Sequence, residues 1–279
     1  MRVTKTFDWA GRNGDVWAEE WQRTDRSFVN LSPRLDAAIL AAAPERGSAI
    51  DIGCGAGGTA MALAARRPDL AITGIDLSSA LVEVARERAA GIPNLAFRVA
   101  DAQGLGEAGA DLLVSRHGVM FFDDPAAGFA ALRAAAVPGA KLVFSCFRAR
   151  ADNEWALVVD AAVGNPDPPS SSAYIPGPFG LADRTFTAEM LARAGWGEAE
   201  AHAIDFAYVA GAGADPVVDA LEFFSRIGSG ARAMADTTPD RRAAMRATLS
   251  AALADHVQGD AVTFAAGAWI WVATAREPA

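Results

Sequence analysis

Cysteine and histidine are scarce in this chain, with two and three copies in 279 residues. Two thiols cannot staple a chain of this length, so a disulfide framework is excluded and a reducing compartment fits. Cys54 lies in a glycine-rich stretch, where it reads as a small packing residue, and Cys146 ends an apolar run. No Cys–His spacing suggests a metal centre, so none is expected. No apolar run approaches the ~20 residues of a membrane span. The opening "MRVTKTFDWAGRNGDVW" carries charges and glycines where a signal peptide needs an apolar core. Basic charge is also short: the formal net charge is -9, and a nucleic-acid binder needs a basic stripe to neutralise phosphates. The densest basic group, Arg241, Arg242 and Arg246, sits on an expected helix and reads as a solvated face. These exclusions leave a soluble, cytoplasmic protein with neither nucleic acid nor membrane as partner.

What the chain does have is alternation. Two expected helices come first, one carrying Trp9, Trp17 and Trp21 and one running "SPRLDAAILAAAP". Strand patterns then alternate with helical ones: "SAIDIG", "LAITGIDL", "NLAFRVAD", "ADLLVSRHG" and "AKLVFSCF". Strands separated by helices of this length imply right-handed crossovers and a parallel sheet. The helix "DPAAGFAALRAAAVPG" is expected to stop at its Pro-Gly. Residues 148–184 break the rhythm with "GNPDPPSSSAYIPGPFG", too long for a turn. A helix, the strand "EAEAHAIDFAYV", a helical stretch over 215–258 and a last strand "AVTFAAGAWIWVATA" complete the chain. The expected fold is α/β: a doubly wound, mostly parallel seven-stranded sheet with an antiparallel last strand and helical cap insertions. Its organisation reads as one domain over 1–279, with an N-terminal cap (1–45) and a cofactor-binding core (46–147). A loop-rich insertion (148–184) and a C-terminal part (185–279) follow.

The glycines of "AIDIGCGAGGTAMALA" lie where a strand hands over to a helix, presenting backbone N–H groups and bare backbone to a ligand. Gly53, Gly55 and Gly58 also satisfy the G-x-G-x-x-G of dinucleotide binders, and Asp76 ends the second strand where an acid meets a ribose diol. Asp51, two residues before the first glycine, argues for a cationic ligand, because a pyrophosphate would be repelled. Asp101 adds a third acid after the third strand.

At this level the chain resembles the class I S-adenosylmethionine-dependent methyltransferases, in the bacterial small-molecule branch of type 11/12-like proteins. The likeness rests on "AIDIGCGAGG", "GIDLSSALVEVAR", "VADAQGL", "DLLVSRHGVMFFDDP" and "LRAAAVPGAKLVFS", in that order. The Trp-rich N-terminal helices, "N-x-W" and "PGPFGLAD" add to it. The resemblance implies S-adenosylmethionine as cofactor and S-adenosylhomocysteine as product. It places Gly53, Gly55 and Gly57 at the methionine end, with Asp51 on the amino group. Asp76 then takes the ribose hydroxyls, Leu77 flanks the adenine, Asp101 and Ala102 meet its edge, and Ser115 joins the cofactor set. His117 and Phe147 depart from the Phe and Trp common in such proteins, on the side that faces the acceptor.

Methyl transfer is an in-line displacement that orientation and water exclusion can accelerate without a conspicuous triad. His117, just past the fourth strand, is the candidate general base or hydrogen-bond donor; His202 and His256 read as structural or solvated. Arg116, Arg148, Trp155 and Tyr174 are the candidate acceptor-binding residues, the arginines as carboxylate clamps. The expected partner is a small-molecule acceptor; oligomeric state stays open, with a homodimer as one option. Two other readings share the same glycines: an NAD-dependent oxidoreductase and a non-catalytic S-adenosylmethionine-binding regulator.

Overall fold

The computed structural model describes residues 8–165, 174–235 and 237–277, so the Pro- and Ser-rich centre of the expected 148–184 insertion lies outside the described residues. Three helices lead: α1 (Arg12–Glu19), α2 (Trp21–Ser27) and α3 (Ser32–Ala42). Next come β1 (Gly47–Ile52), α4 (Gly58–Arg66), β2 (Leu70–Asp76), α5 (Ser79–Arg88) and β3 (Leu95–Val99). The chain continues through β4 (Ala110–Arg116), α6 (Pro125–Ala135), β5 (Ala136–Phe147), α7 (Glu154–Ala162) and α8 (Arg184–Arg193). It ends with β6 (Trp196–Ala212), α9 (Pro216–Arg226), α10 (Gly228–Ala235), α11 (Pro239–Ala254), β7 (Val257–Gln258) and β8 (Ala261–Ala275).

One start signal recurs. Asp124, Asp215 and Thr238 each accept a backbone N–H of the next helix, and each is followed by a proline at the first turn. The cap satisfies an orphan donor, while proline lacks the N–H that would otherwise be unpaired. Ser78 caps α5 alone, accepting from the Leu81 N–H at 3.2 Å.

The sheet order is β3-β2-β1-β4-β5-β8-β6, with β7 paired to β8. Strands β1 to β5 are parallel, and β8 runs antiparallel to both β5 and β6. The fold is therefore the expected doubly wound one, with its antiparallel last strand. Two details differ. The described residues contain an eighth, two-residue strand, β7, which the helical pattern of 215–258 concealed. In addition, α6 stops at Ala135, and Pro138–Gly139 fall inside β5. The register jumps there from Ala110↔Ala136 to Leu112↔Lys141, and this irregularity accommodates a proline that cannot donate to the ladder.

β1 pairs on one side with β2 and on the other with β4, so the chain winds outward in both directions from it. The crevice at the C-terminal ends of β1 and β4 is the topological switch point, where open α/β sheets bind ligands. The core beneath is aromatic: Phe144 stacks on Trp271 at 6.2 Å, and the indole N–H of Trp196 donates to the Phe129 carbonyl at 3.0 Å.

Above the crevice, charges bind distant elements together. Glu20 of α2, only 3% exposed, accepts from Arg23 at 2.7 Å and from Arg226 of α9 at 2.8 Å. Asp219 of α9 in turn pairs with Arg23 at 2.7 Å and Arg26 at 2.6 Å. The N-terminal helices and the helical insertion are thereby joined into one roof.

Gly57 shows how tightly the switch point is built. It caps α4 with φ +82°, and a Cβ there would lie 2.6 Å from Cζ of the buried Phe97. We expect Gly57→Ala to lower unfolding free energy by roughly 2–5 kcal/mol, combining left-handed strain with overpacking. An unchanged urea midpoint would refute that packing.

Candidate functional site

The loop between β1 and α4 is held from below by β2. The Cys54 N–H donates to the Ile75 carbonyl at 2.9 Å, and the Gly55 N–H donates to Oδ2 of Asp76 at 2.9 Å. The other Asp76 oxygen accepts the Ser78 N–H at 2.9 Å, so one carboxylate organises two turns. Burial raises the Asp76 pKa, and these amides pull it back. Gly55 has φ +53°, and a Cβ built on it would meet nothing within 4 Å. The backbone there is bare and faces open space.

Asp51, inside β1, is 1% exposed, and neither carboxylate oxygen makes a well-formed hydrogen bond with a described residue; only the Ala60 backbone N–H lends it weak support. Burial pushes its pKa up to about 7, while the nearby Arg116 guanidinium pulls the other way. A buried carboxylate so poorly partnered is costly unless a cation joins it.

A cavity of about 1260 Å³ opens over this loop. Typical small-molecule pockets span roughly 300–1,000 Å³, so there is room for more than one molecule. Asp51, Gly53, Gly55, Asp76, Leu77, Asp101 and Ala102 all reach its wall, as do Arg116, His117 and Trp155. The structure thus brings together most of the residues singled out in the sequence. Asp101 has one oxygen engaged locally, accepting the Gln103 N–H at 2.9 Å.

Four of the candidates are not brought to the cavity. Gly57 is turned towards Phe97, as described above. Ser115 is fully buried, donating to the Ile52 carbonyl at 2.7 Å and accepting the Gly118 N–H at 3.2 Å, so it ties β4 to β1. The Tyr174 hydroxyl is shared between the carbonyls of Phe122 (2.7 Å) and Met120 (3.1 Å) and anchors its loop. Arg148 pairs with Asp205 at 2.6 Å and Asp152 at 3.2 Å beside a separate, smaller depression. Arg116 does reach the cavity, but it is engaged: it pairs with Asp25 of α2 and lies over Phe28. In the basic group read as a solvated face, Arg241 and Arg242 are exposed, and Arg242 and Arg246 also border the cavity.

His117 stands at the end of β4 with φ +62°, a conformation uncommon outside glycine. Its ring lies between Phe28 (4.6 Å) and Phe147 (4.4 Å), and Nδ1 meets the Ser145 hydroxyl at 2.9 Å. Nε2 is buried with no hydrogen-bond partner. Burial, helped by the Arg116 charge, drives its pKa down to about 3, so the imidazole is neutral. Trp155 extends this aromatic wall, stacking on Tyr208 at 5.3 Å and Phe179 at 5.9 Å. Trp9, Trp17 and Trp21 close the other side, half-buried on the cavity wall, and Trp17 and Trp21 also pack against buried side chains. Among the described residues no group of three or more His, Cys, Asp or Glu could hold a metal ion, and no helix is long and apolar enough to cross a membrane.

Residues 49–139, which contain the glycine loop, Asp51, Asp76 and His117, match the family model described as a methyltransferase domain. That match takes in about a third of the chain. The chain is 43% identical over 77 residues to a trans-aconitate 2-methyltransferase of Methylobacterium radiotolerans, covering 27% of this chain and 28% of that protein. The namesake from Afipia carboxidovorans is 35% identical over 107 residues, 38% and 37% of the two lengths. The match thus spans about a third of these relatives. Among solved structures, Haemonchus contortus phosphoethanolamine N-methyltransferase 2, determined with S-adenosyl-L-methionine, superposes with TM-score 0.57 at 17% identity. That match covers 99% of this chain and 61% of the other. The [4+2]-cyclase SpnF superposes with TM-score 0.52 at 20% identity over 88% and 82%. These likenesses show the fold, which hosts more than one chemistry.

The residues present fit S-adenosylmethionine, the cofactor expected from the sequence. The bare Gly55 backbone leaves space for a ligand, Asp76 offers a fixed acceptor, and Asp51 supplies an uncompensated negative charge. Phe28, Asp160, Tyr208, Phe224 and Arg232 also line the cavity and were missed in the sequence. They come from α2, α7, β6, α9 and α10, and no motif joins them.

Asp76→Ala should weaken S-adenosylhomocysteine binding roughly 10- to 150-fold, the size of a charged hydrogen bond at ~1.5–3 kcal/mol. Calorimetry giving affinity within twofold of the parent would remove Asp76 from the site.

Proposed function

We propose that this chain transfers the methyl group of S-adenosylmethionine to a small-molecule acceptor held in the outer part of the same cavity. The observation that carries the reading is Asp51, a buried carboxylate with no well-formed hydrogen bond among the described residues, beneath a bare glycine loop. That charge suits an ammonium and opposes a pyrophosphate, which favours the methyl donor over NAD. The relatives named for methylating trans-aconitate support a small acceptor, and the acidic chain disfavours nucleic acid.

The cofactor supplies an electrophilic methyl group on a positively charged sulfur. The protein's own part is positioning and exclusion of water. Asp51 holds the amino group, Asp76 the ribose hydroxyls, and Leu77 with Ala102 borders the base. Trp9 ahead of α1, Trp17 and Trp21 of the N-terminal helices, and α9–α10 from the insertion shield the centre from solvent. Dispersing charge in a dry, oriented site is enough for a displacement of this kind. His117 orients the acceptor as a neutral imidazole through Nε2, with Ser145 steadying the opposite nitrogen. It is not the base that stores a proton, because a group whose pKa is near 3 releases one at once in neutral solution.

The reading is tested by incubating the protein with methyl-labelled S-adenosylmethionine and a fractionated metabolite extract. Label should move to a low-mass product; tight cofactor binding with no acceptor across a broad panel would make the chain a binding protein instead. The Asp51 pKa near 7 adds a sign: below pH 7 the carboxyl must lose a proton to hold an ammonium. S-adenosylhomocysteine affinity should therefore weaken towards tenfold per unit from pH 7 to 5, following ~1.4 kcal/mol per pK unit, and level off just above pH 7. Asp51→Asn should flatten that profile, and a flat profile in the parent would sink the role. His117→Phe should lower acceptor turnover roughly two- to tenfold, the scale of one neutral hydrogen bond. Cofactor affinity should hold within twofold and the pH–rate profile should keep its shape; a lost titration step would make His117 the base after all.

A further inference from the structure

The outer wall of the cavity carries polar atoms that the cofactor residues do not explain. Trp155 Nε1 and Asp160 Oδ1, both on α7, are buried and have no hydrogen-bond partner. The other Asp160 oxygen takes Arg150, whose Nε and Nη2 lie 3.0 and 2.7 Å away. Helix α10 packs against α7 closely enough that a Cβ on Gly230 would sit 3.3 Å from Val159 Cγ1. That packing sets Arg232, two residues on, in the same cavity wall.

Arg232 differs from its neighbours. Arg116 pairs with Asp25, Arg226 with Glu20 and Arg246 with Glu222, so these charges are answered within the protein. Arg232 has neither a carboxylate nor a hydrogen bond among the described residues. Among the described residues Arg242 donates to the carbonyls of Met234 at 2.8 Å and Thr237 at 3.3 Å and pairs with no carboxylate. Both arginines are exposed at the cavity mouth, and in a chain of net charge -9 two such cations, with no carboxylate partner among the described residues and beside buried unpaired polar atoms, point to an anion site. The adjoining surface is flat and apolar, because Trp155, Tyr208 and Phe224 lie nearly parallel, within 18° of the indole plane.

We propose that this wall is the acceptor subsite and that it selects a planar carboxylic acid bearing a hydroxyl group. The Arg232 guanidinium takes the carboxylate, in the forked geometry that suits it. Arg242 adds positive potential, the rings hold the flat body, and Asp160 Oδ1 accepts the hydroxyl proton. The inference rests on the methyltransferase reading for its purpose but stands on its own binding chemistry.

The test is calorimetric titration of 4-hydroxybenzoate and 4-hydroxybenzamide, on the free protein and on protein saturated with S-adenosylhomocysteine. The acid should bind at least tenfold more tightly than the amide, which has the same shape without the charge. Arg232→Gln should cut acid affinity at least tenfold, leave the amide unchanged and keep S-adenosylhomocysteine within twofold; Arg232→Lys should restore part of the loss. Equal binding of acid and amide, an unchanged Arg232→Gln variant, or no binding of the acid would overturn the subsite. Failure of S-adenosylhomocysteine to bind the parent would instead strike the function proposed above, and the titration on free protein would still decide the subsite.

Discussion

A carboxylate shut away from water, with no well-formed hydrogen bond among the described residues to answer it, is the constraint around which this molecule is arranged. Asp51 sits inside a parallel strand, and its charge is opposed in the chain chiefly by Arg116 at a distance. Removing a carboxylate from water without compensation is unfavourable enough that the group either neutralises or recruits a cation. A pKa near 7 leaves both choices open at physiological pH, so ligand charge and protonation are coupled at this residue. The bare loop above it gives a cation a way in, and Asp76 keeps that loop open by gripping the Gly55 amide.

Arg116 extends the same electrostatic problem outward. It acts on Asp51 from one side and pairs with Asp25 from the other, so the charge at the sheet end also fastens α2. Helix α2 then carries Glu20, which joins Arg226 of the insertion. Two pieces of chain some two hundred residues apart in sequence thus meet above one crevice. The roof is held by partly buried ion pairs more than by a continuous apolar seam, an arrangement whose strength depends on geometry and on how far water is kept out.

Much of this was legible in the sequence because its causes are local. Parallel strands buried on both faces read as apolar runs, helix starts carry Asp-Pro or Thr-Pro, and glycines mark where backbone must be bare. Asp51, Gly55 and Asp76 could be assigned from their places relative to strand ends. The misses also have physical reasons. Gly57 looked like its neighbours, but whether a glycine serves a ligand or a packing contact depends on Phe97, forty residues away. Ser115 and Tyr174 had the right chemistry in the right segments, yet their hydroxyls are used by backbone carbonyls that no spacing rule identifies. Arg148 follows β5 as Arg116 follows β4, but β8 and β6 bring Asp205 beside it and hold it elsewhere.

The sequence alone determined the order of strands and helices, the glycine loop and its acids, because each depends on contacts within a few residues. Tertiary structure decided which arginines keep a free charge, which aromatic rings form the wall, and that His117 is neutral. Those properties come from burial and from partners on distant elements, and the same residue types would behave otherwise in water.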